Sequence, residues 1–256
     1  MITRRQVLTL GMESIIAIAF AKTVIANELL AKQLPPKIED WIAQLYFTAA
    51  KVRTGQIDPV VWQSEMDKLY GSVDINALMT NIDMDKLKHR IDYADKGESF
   101  LFTHLRPRPV NPIDSSIPLN VETLFASVKK GCHVPPHGHA NMCSAFLLVS
   151  GQMHARQYDS VHWDKEKRTL VIKETVNEMQ TRGRWTSVSD HHNNCHWLTA
   201  ESDDCYFFST KLANIQPECP TCHRMPFYYE AGNYLGSGLR EVPLISQQRS
   251  TEIYNL

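Results

Sequence analysis

The sequence predicts an all-β, jelly-roll-like barrel preceded by an α-helical region. Two observations carry this. From residue 98 onward, apolar residues fall in short strand-length runs broken by Gly, Pro, Asn and Asp, with no helical pattern between them. Before that point, residues 37–91 show an apolar period that fits helices.

The 256 residues suffice for one barrel and an appendage. A composition of 43% hydrophobic and 21% charged residues argues against overall disorder. The formal net charge of -1 gives no reason to expect nucleic acid or an anionic membrane as partner. The 6 cysteines are too sparse for a disulfide scaffold. Cys143 and Cys205 sit in apolar runs and read as buried free thiols.

Residues 1–21 read as an export signal. Thr3-Arg4-Arg5-Gln6-Val7-Leu8 resembles the twin-arginine motif, an apolar stretch follows to Ala21, and Ala19-Phe20-Ala21 offers a small-x-small cleavage site. Glu13 departs from the pattern. The stretch is too short for a permanent membrane span. The expected location is periplasmic, with the export machinery as a partner, and cytoplasmic if the segment is instead an amphipathic helix. The twin-arginine route carries folded proteins, which suits one that acquires a metal inside the cell.

Residues 22–97 form the expected helical region. Ile38, Trp41, Ile42, Leu45, Tyr46 and Ala49 share one helix face. Gly55 and Asp58-Pro59 mark a turn into a second helix carrying Val60, Val61, Met66 and Leu69, which Gly71 ends. Asp74 is placed to cap a third helix with Ile75, Leu78, Met79 and Ile82. Residues 98–256 form the expected barrel. Its strands are read at 100–105, 122–128, 145–149, 152–158, 169–174, 185–188, 195–199 and 205–211, with Pro107, Pro109 and Pro112 marking a loop.

The chemistry concentrates around His137-Gly138-His139. On an extended backbone, residues i and i+2 point to the same side, so two imidazoles can converge on one ion. Gly131, His137-x-His139 and Gly151 together resemble the first motif of the cupin superfamily. Asp190-His-His-Asn-Asn-Cys-His196-Trp-Leu-Thr resembles the second, with His196 as the third ligand. The resemblance implies a cupin barrel, a double-stranded β-helix, holding one metal through His137, His139 and His196.

A closer resemblance is to thiol dioxygenases of the cysteamine dioxygenase and plant cysteine oxidase type. It rests on Pro135-Pro136-His137-x-His139-x-x-Met142, Leu147-Leu148, Gly151, His154-Ala-Arg156-Gln-Tyr158-Asp159 and Asn194-Cys195-His196. It covers about half the chain. Cys222-His223 followed by Phe227-Tyr228-Tyr229 is loosely similar to that family's C-terminal element. The resemblance implies Fe(II), a small-molecule substrate and O2, with a sulfinic acid as product.

Residue chemistry points the same way. The common cupin glutamate is replaced by Cys143 and Ser144, which leaves three neutral histidines and open coordination positions. A substrate thiolate would bring the missing negative charge. Imidazole also suits Zn and Ni, and Mn remains compatible with the fold. The family's aspartate and Pro-Pro-Tyr loop are absent from the strand around Phe207-Phe208-Ser209-Thr210-Lys211, which weakens the substrate more than the metal. Arg156 is a candidate clamp for a substrate carboxylate or peptide group, and Tyr206, Tyr228 and Tyr229 are candidate pocket residues. His191 and His192 read as a solvated turn. Cys219-Pro-Thr-Cys222-His223 has the spacing of a c-type haem attachment, but no cytochrome-like helix bundle follows, so haem is not expected. A disulfide, a second metal site or a redox pair are the alternatives there. Two other function classes fit the same sequence: a metal-dependent isomerase or decarboxylase, and a non-catalytic metal- or ligand-binding cupin.

Overall fold

A computed structural model describes residues 36–80, 82, 84–85, 100–105, 121–216 and 224–254. The predicted export signal, the loop at Pro107–Pro112, and Cys219, Cys222 and His223 lie outside the described residues.

Three helices open the described chain: α1 (Pro36–Arg53), α2 (Pro59–Ser72) and α3 (Ile75–Thr80). The predicted Asp74 cap is present, and the turn residue Asp58 also caps its helix. Asp58 Oδ1 accepts from the Val61 amide at 2.9 Å, with Pro59 in the first turn. Asp74 Oδ1 accepts from the amides of Asn76 and Ala77. The second helix runs one residue past Gly71, to Ser72.

Twelve strands follow: β1 (Phe100–Leu105), β2 (Val121–Val128), β3 (His133–His139), β4 (Met142–Ser150), β5 (Gln152–Asp164), β6 (Thr169–Thr181), β7 (Trp185–Val188), β8 (Cys195–Ala200), β9 (Cys205–Ala213), β10 (Arg224–Pro226), β11 (Asn233–Gly236) and β12 (Leu239–Pro243). A last helix, α4 (Gln247–Tyr254), ends the described chain. One antiparallel sheet has the order β1-β2-β9-β4-β7, and the other β10-β3-β8-β5-β6-β12-β11. This is the all-β, jelly-roll-like barrel with an N-terminal helical region that the sequence predicts.

The inner strands of the first sheet, β2, β9 and β4, are buried on both faces. Its inner face meets the second sheet through Leu124, Ala126, Phe146, Leu148 and Phe207, against Val134, Met153, Ala155 and Leu198. Its outer face meets the helices. Phe125, Ala145, Leu147, Tyr206 and Phe208 pack there on Trp41, Leu45, Tyr46, Trp62, Met66 and Tyr70. Double burial explains the apolar run from Ala145 to Val149 in β4, because neither face needs polar residues there. Polar groups also tie the layers together. Tyr70 donates to Thr210 Oγ1 at 2.8 Å, Tyr46 bonds Thr123 at 3.0 Å, and Ser189 donates to Gln63 at 2.6 Å.

Several elements are absent from the sequence reading. β3 is hidden by Pro135-Pro136, which would ordinarily end a strand. The ladder to β8 absorbs them with a register shift between Val134 and His137. β6 runs to Thr181 rather than 174, because its second half pairs with β5 while facing solvent. β10, β11, β12 and α4 carry too little apolar periodicity to be read from sequence. No helix among the described residues is long and apolar enough to cross a membrane.

Candidate metal centre

β3 supplies His137 and His139, and β8 supplies His196, which is the direct cross-strand partner of His137. The ring centroids lie 4.5 Å (His137–His139), 4.3 Å (His137–His196) and 4.9 Å (His139–His196) apart. One ring nitrogen from each residue lies within 4.8 Å of the others. All three side chains are buried, at 3%, 8% and 3% exposure.

The bulge at the prolines aims them. Val134 and His137 are an odd number of residues apart, yet both line the same cavity, because the extra residue reverses the alternation. Gly138 permits close packing behind the ligands. A Cβ there would stand 3.1 Å from the Cys195 sulfur and 3.4 Å from Cε of Met225.

The histidines carry little hydrogen bonding. His137 Nδ1–H donates to the Pro135 carbonyl at 2.6 Å, which leaves Nε2 with its lone pair. Both ring nitrogens of His139, and Nδ1 of His196, are buried without a partner. Burial lowers the pKa of all three. Arg224 and the neighbouring histidines push His137 and His139 further down, and His196 falls to about 3 through burial and Arg224. The rings are therefore neutral at pH 7. Buried imidazole nitrogens that lack protein partners and converge within 4.8 Å fit a bound divalent metal, which would satisfy them.

The histidines open on a cavity of about 230 Å³. Leu124, Val134, Phe146, Leu198 and Phe207 form apolar walls, and Ser144, Ser209, Glu122, Lys211 and Arg224 supply its polar groups. Lys211 and Glu122 pair at 3.6 Å. Of the two residues replacing the usual glutamate, Ser144 lines this cavity, while Cys143 packs in the helix-facing core and burial raises its thiol pKa.

Arg224 enters on β10, opposite His139 in register. Its Nη2 lies 3.3 Å from His137 Nδ1. Arginine has only donors, and that Nδ1 already carries a proton given to Pro135, so the contact is an approach of charge rather than a hydrogen bond. Burial lowers the Arg224 pKa to about 10, and the group stays charged. Nothing in the sequence pointed to Arg224, Phe146 or Ser209, because their approach depends on which strands become neighbours.

The candidate substrate residues are elsewhere. Arg156 is the cross-strand partner of Trp197, one residue from His196 and so on the opposite sheet face, and its guanidinium lies 4.1 Å over the Trp197 ring. Tyr206 belongs to the helix-facing core, while its neighbour Phe207 faces the cavity. Tyr228 packs edge-on against Tyr254, and Tyr229 stacks near Tyr158 and Trp197. None of the four lines the histidine cavity. His191 and His192 are exposed, as a solvated turn requires, and His192 Nδ1 pairs with Asp159 at 3.1 Å. Cys143 and Cys205 are buried free thiols, as the sequence predicts.

No protein-family model and no curated protein matches the chain. Solved structures are similar at low identity. They include an oxalate oxidase (12% identity, TM-score 0.34, 48% of this chain and 55% of that one). KdgF from Halomonas sp. matches at 13% identity and TM-score 0.33 over 48% of this chain and 87% of that one. A cupin superfamily protein from Desulfitobacterium hafniense matches at 12% identity and TM-score 0.32, over 50% of this chain and 87% of that one. The matched region spans only 55% of the oxalate oxidase chain. At this distance the fold stands on the strand order, and the site on the geometry of His137, His139 and His196.

Proposed function

We propose that the chain is a metal-dependent cupin enzyme, a non-haem iron dioxygenase that oxidises a thiol or another small substrate with O2. The observation that carries this is a set of three buried, neutral, convergent histidines with no carboxylate among them, opening on a largely apolar cavity. Iron(II) held by His137, His139 and His196 would supply open positions for substrate and O2 and the redox chemistry between them. The chain's own part is to hold and to shield. The ladder between β3 and β8 keeps the imidazoles in place, the His137–Pro135 hydrogen bond fixes one tautomer, and the apolar walls limit water. For a thiol, one O2 adds both atoms to sulfur and gives a sulfinic acid.

The test is oxygen uptake by protein loaded anaerobically with Fe(II) and challenged with a thiol panel. Iron-dependent uptake matched by sulfinic acid, and lost in His196→Ala, is expected. Uptake independent of iron, or turnover without O2, overturns the dioxygenase reading, the latter in favour of an isomerase or decarboxylase.

Export through the twin-arginine route belongs to the same proposal. Secreted protein should begin near residue 22, and an Arg4→Lys/Arg5→Lys variant should stay in the cytoplasm. Full-length wild-type protein confined to the cytoplasm would refute it.

A further inference from the structure

We infer that the histidine cavity takes a ligand bearing a carboxylate, held by the guanidinium of Arg224 beside the three histidines. The inference rests on that cavity being the substrate site.

Arg224 is an unbalanced charge. Its Nε is buried without a hydrogen-bond partner, and its Nη2 faces a nitrogen that is itself a donor. No carboxylate among the described residues pairs with it, whereas the cavity's other cation, Lys211, has Glu122 at 3.6 Å. The three histidines are neutral and bring no negative charge. A divalent metal would only add to the positive excess. Arg224 is half-buried with its Nε shielded from solvent, and a shielded charge is better tolerated when paired, so the missing partner belongs to the ligand.

The fork of donors on a guanidinium matches the two oxygens of a carboxylate. The cavity of about 230 Å³ is small. It lies below the range of about 300–1,000 Å³ usual for drug-sized ligands and suits a smaller one. Its apolar walls suit a short carbon chain behind the charged end. Register places Arg224 beside His139, so a carboxylate on Arg224 leaves the rest of the ligand next to the metal ligands.

The test uses metal-free full-length protein and calorimetry with propionate and its neutral isostere propionamide. Propionate should bind, and propionamide at least about tenfold more weakly. Arg224→Gln should lose propionate binding by about tenfold or more, and Arg224→Lys should retain part of it. Equal binding of the two probes, undiminished binding to Arg224→Gln, no propionate binding to wild type, or tighter binding of inorganic phosphate would overturn the inference. Should Arg224→Gln not fold, the Arg224→Lys variant and the wild-type ratio decide. Zn(II) titration of the same proteins reads the metal separately. A histidine site that takes no metal while propionate still requires Arg224 sinks the metalloenzyme reading alone. Metal binding without a charge requirement sinks the carboxylate alone.

Discussion

His137 and His196 are direct cross-strand partners on β3 and β8, with their rings 4.3 Å apart. Two of the three candidate ligands are thus set by one register, and a slip of one residue would turn His196 to the far face of its sheet. Replacing either by alanine should reduce bound metal from about one per chain to under about a tenth, with β content unchanged. Elemental analysis beside circular dichroism measures both. Retained metal in a folded variant would place the site elsewhere.

Burial depresses the histidine pKa values, which makes the metal-free protein sensitive to acid. Between the unfolded value of about 6.5 and the folded value, the unfolded chain binds the proton and the folded chain does not. Stability should therefore be full above pH 6.5 and fall as pH drops towards about 3 for His196. The slope from that residue is at most about 1.4 kcal/mol per pH unit. Denaturant melts of metal-free wild type and His196→Asn across this range check it, the variant having the shallower slope. Identical slopes would show that His196 does not titrate as its burial requires.

Two glycines with similar backbones should respond differently to alanine. Gly131 (φ 77°) has nothing within 4 Å of a new Cβ, so only conformational strain of about 1–2 kcal/mol is expected. Gly151 (φ 79°) would drive its Cβ to 2.9 Å from the backbone of both Asp204 and Cys205. Overpacking there should add about 1–3 kcal/mol to the same strain. Comparing the two variants by thermal unfolding settles the order, and Gly131→Ala as the more damaging change would contradict it.

The helical layer should unfold with the barrel. Trp62 and Tyr70 are fully buried against the outer face of the first sheet. Trp62→Ala should cost about 3–5 kcal/mol, with helical and aromatic signals melting together. Two separate transitions would mean that the helices form an independent unit.

Arg156→Ala should leave metal content and oxygen uptake unchanged, because the residue lies on the far side of its sheet from His196. Loss of its contact with Trp197 should cost about 0.5–2 kcal/mol of stability. A selective fall in activity with stability intact would restore Arg156 to the substrate site.

Local features were legible in the chain. The helix period, the turn at Asp58-Pro59 and the Asp74 cap report on neighbours within a few residues. The pair His137 and His139 needs only an extended backbone to converge. The break at Gly71 and the strand at 185–188 follow from the same short-range rules. Such signals depend on interactions that the adjacent sequence contains.

The remainder was decided by tertiary structure, because strand pairing and sheet faces are non-local. An apolar run such as Phe207-Phe208 does not say which side meets helices and which meets the cavity, since both are buried. That ambiguity put Tyr206 among the site candidates, and Arg156 entered through its charge on the strand after Gly151. Pro135-Pro136 concealed a strand whose bulge aims His137, and the pairing of β10 with β3 brings in Arg224 from 87 residues away. The sequence by itself determined the candidate ligands and the barrel's local pieces. Only the register of the assembled sheets, where side-chain alternation turns one residue's shift into a change of face, decided which charge stands beside them.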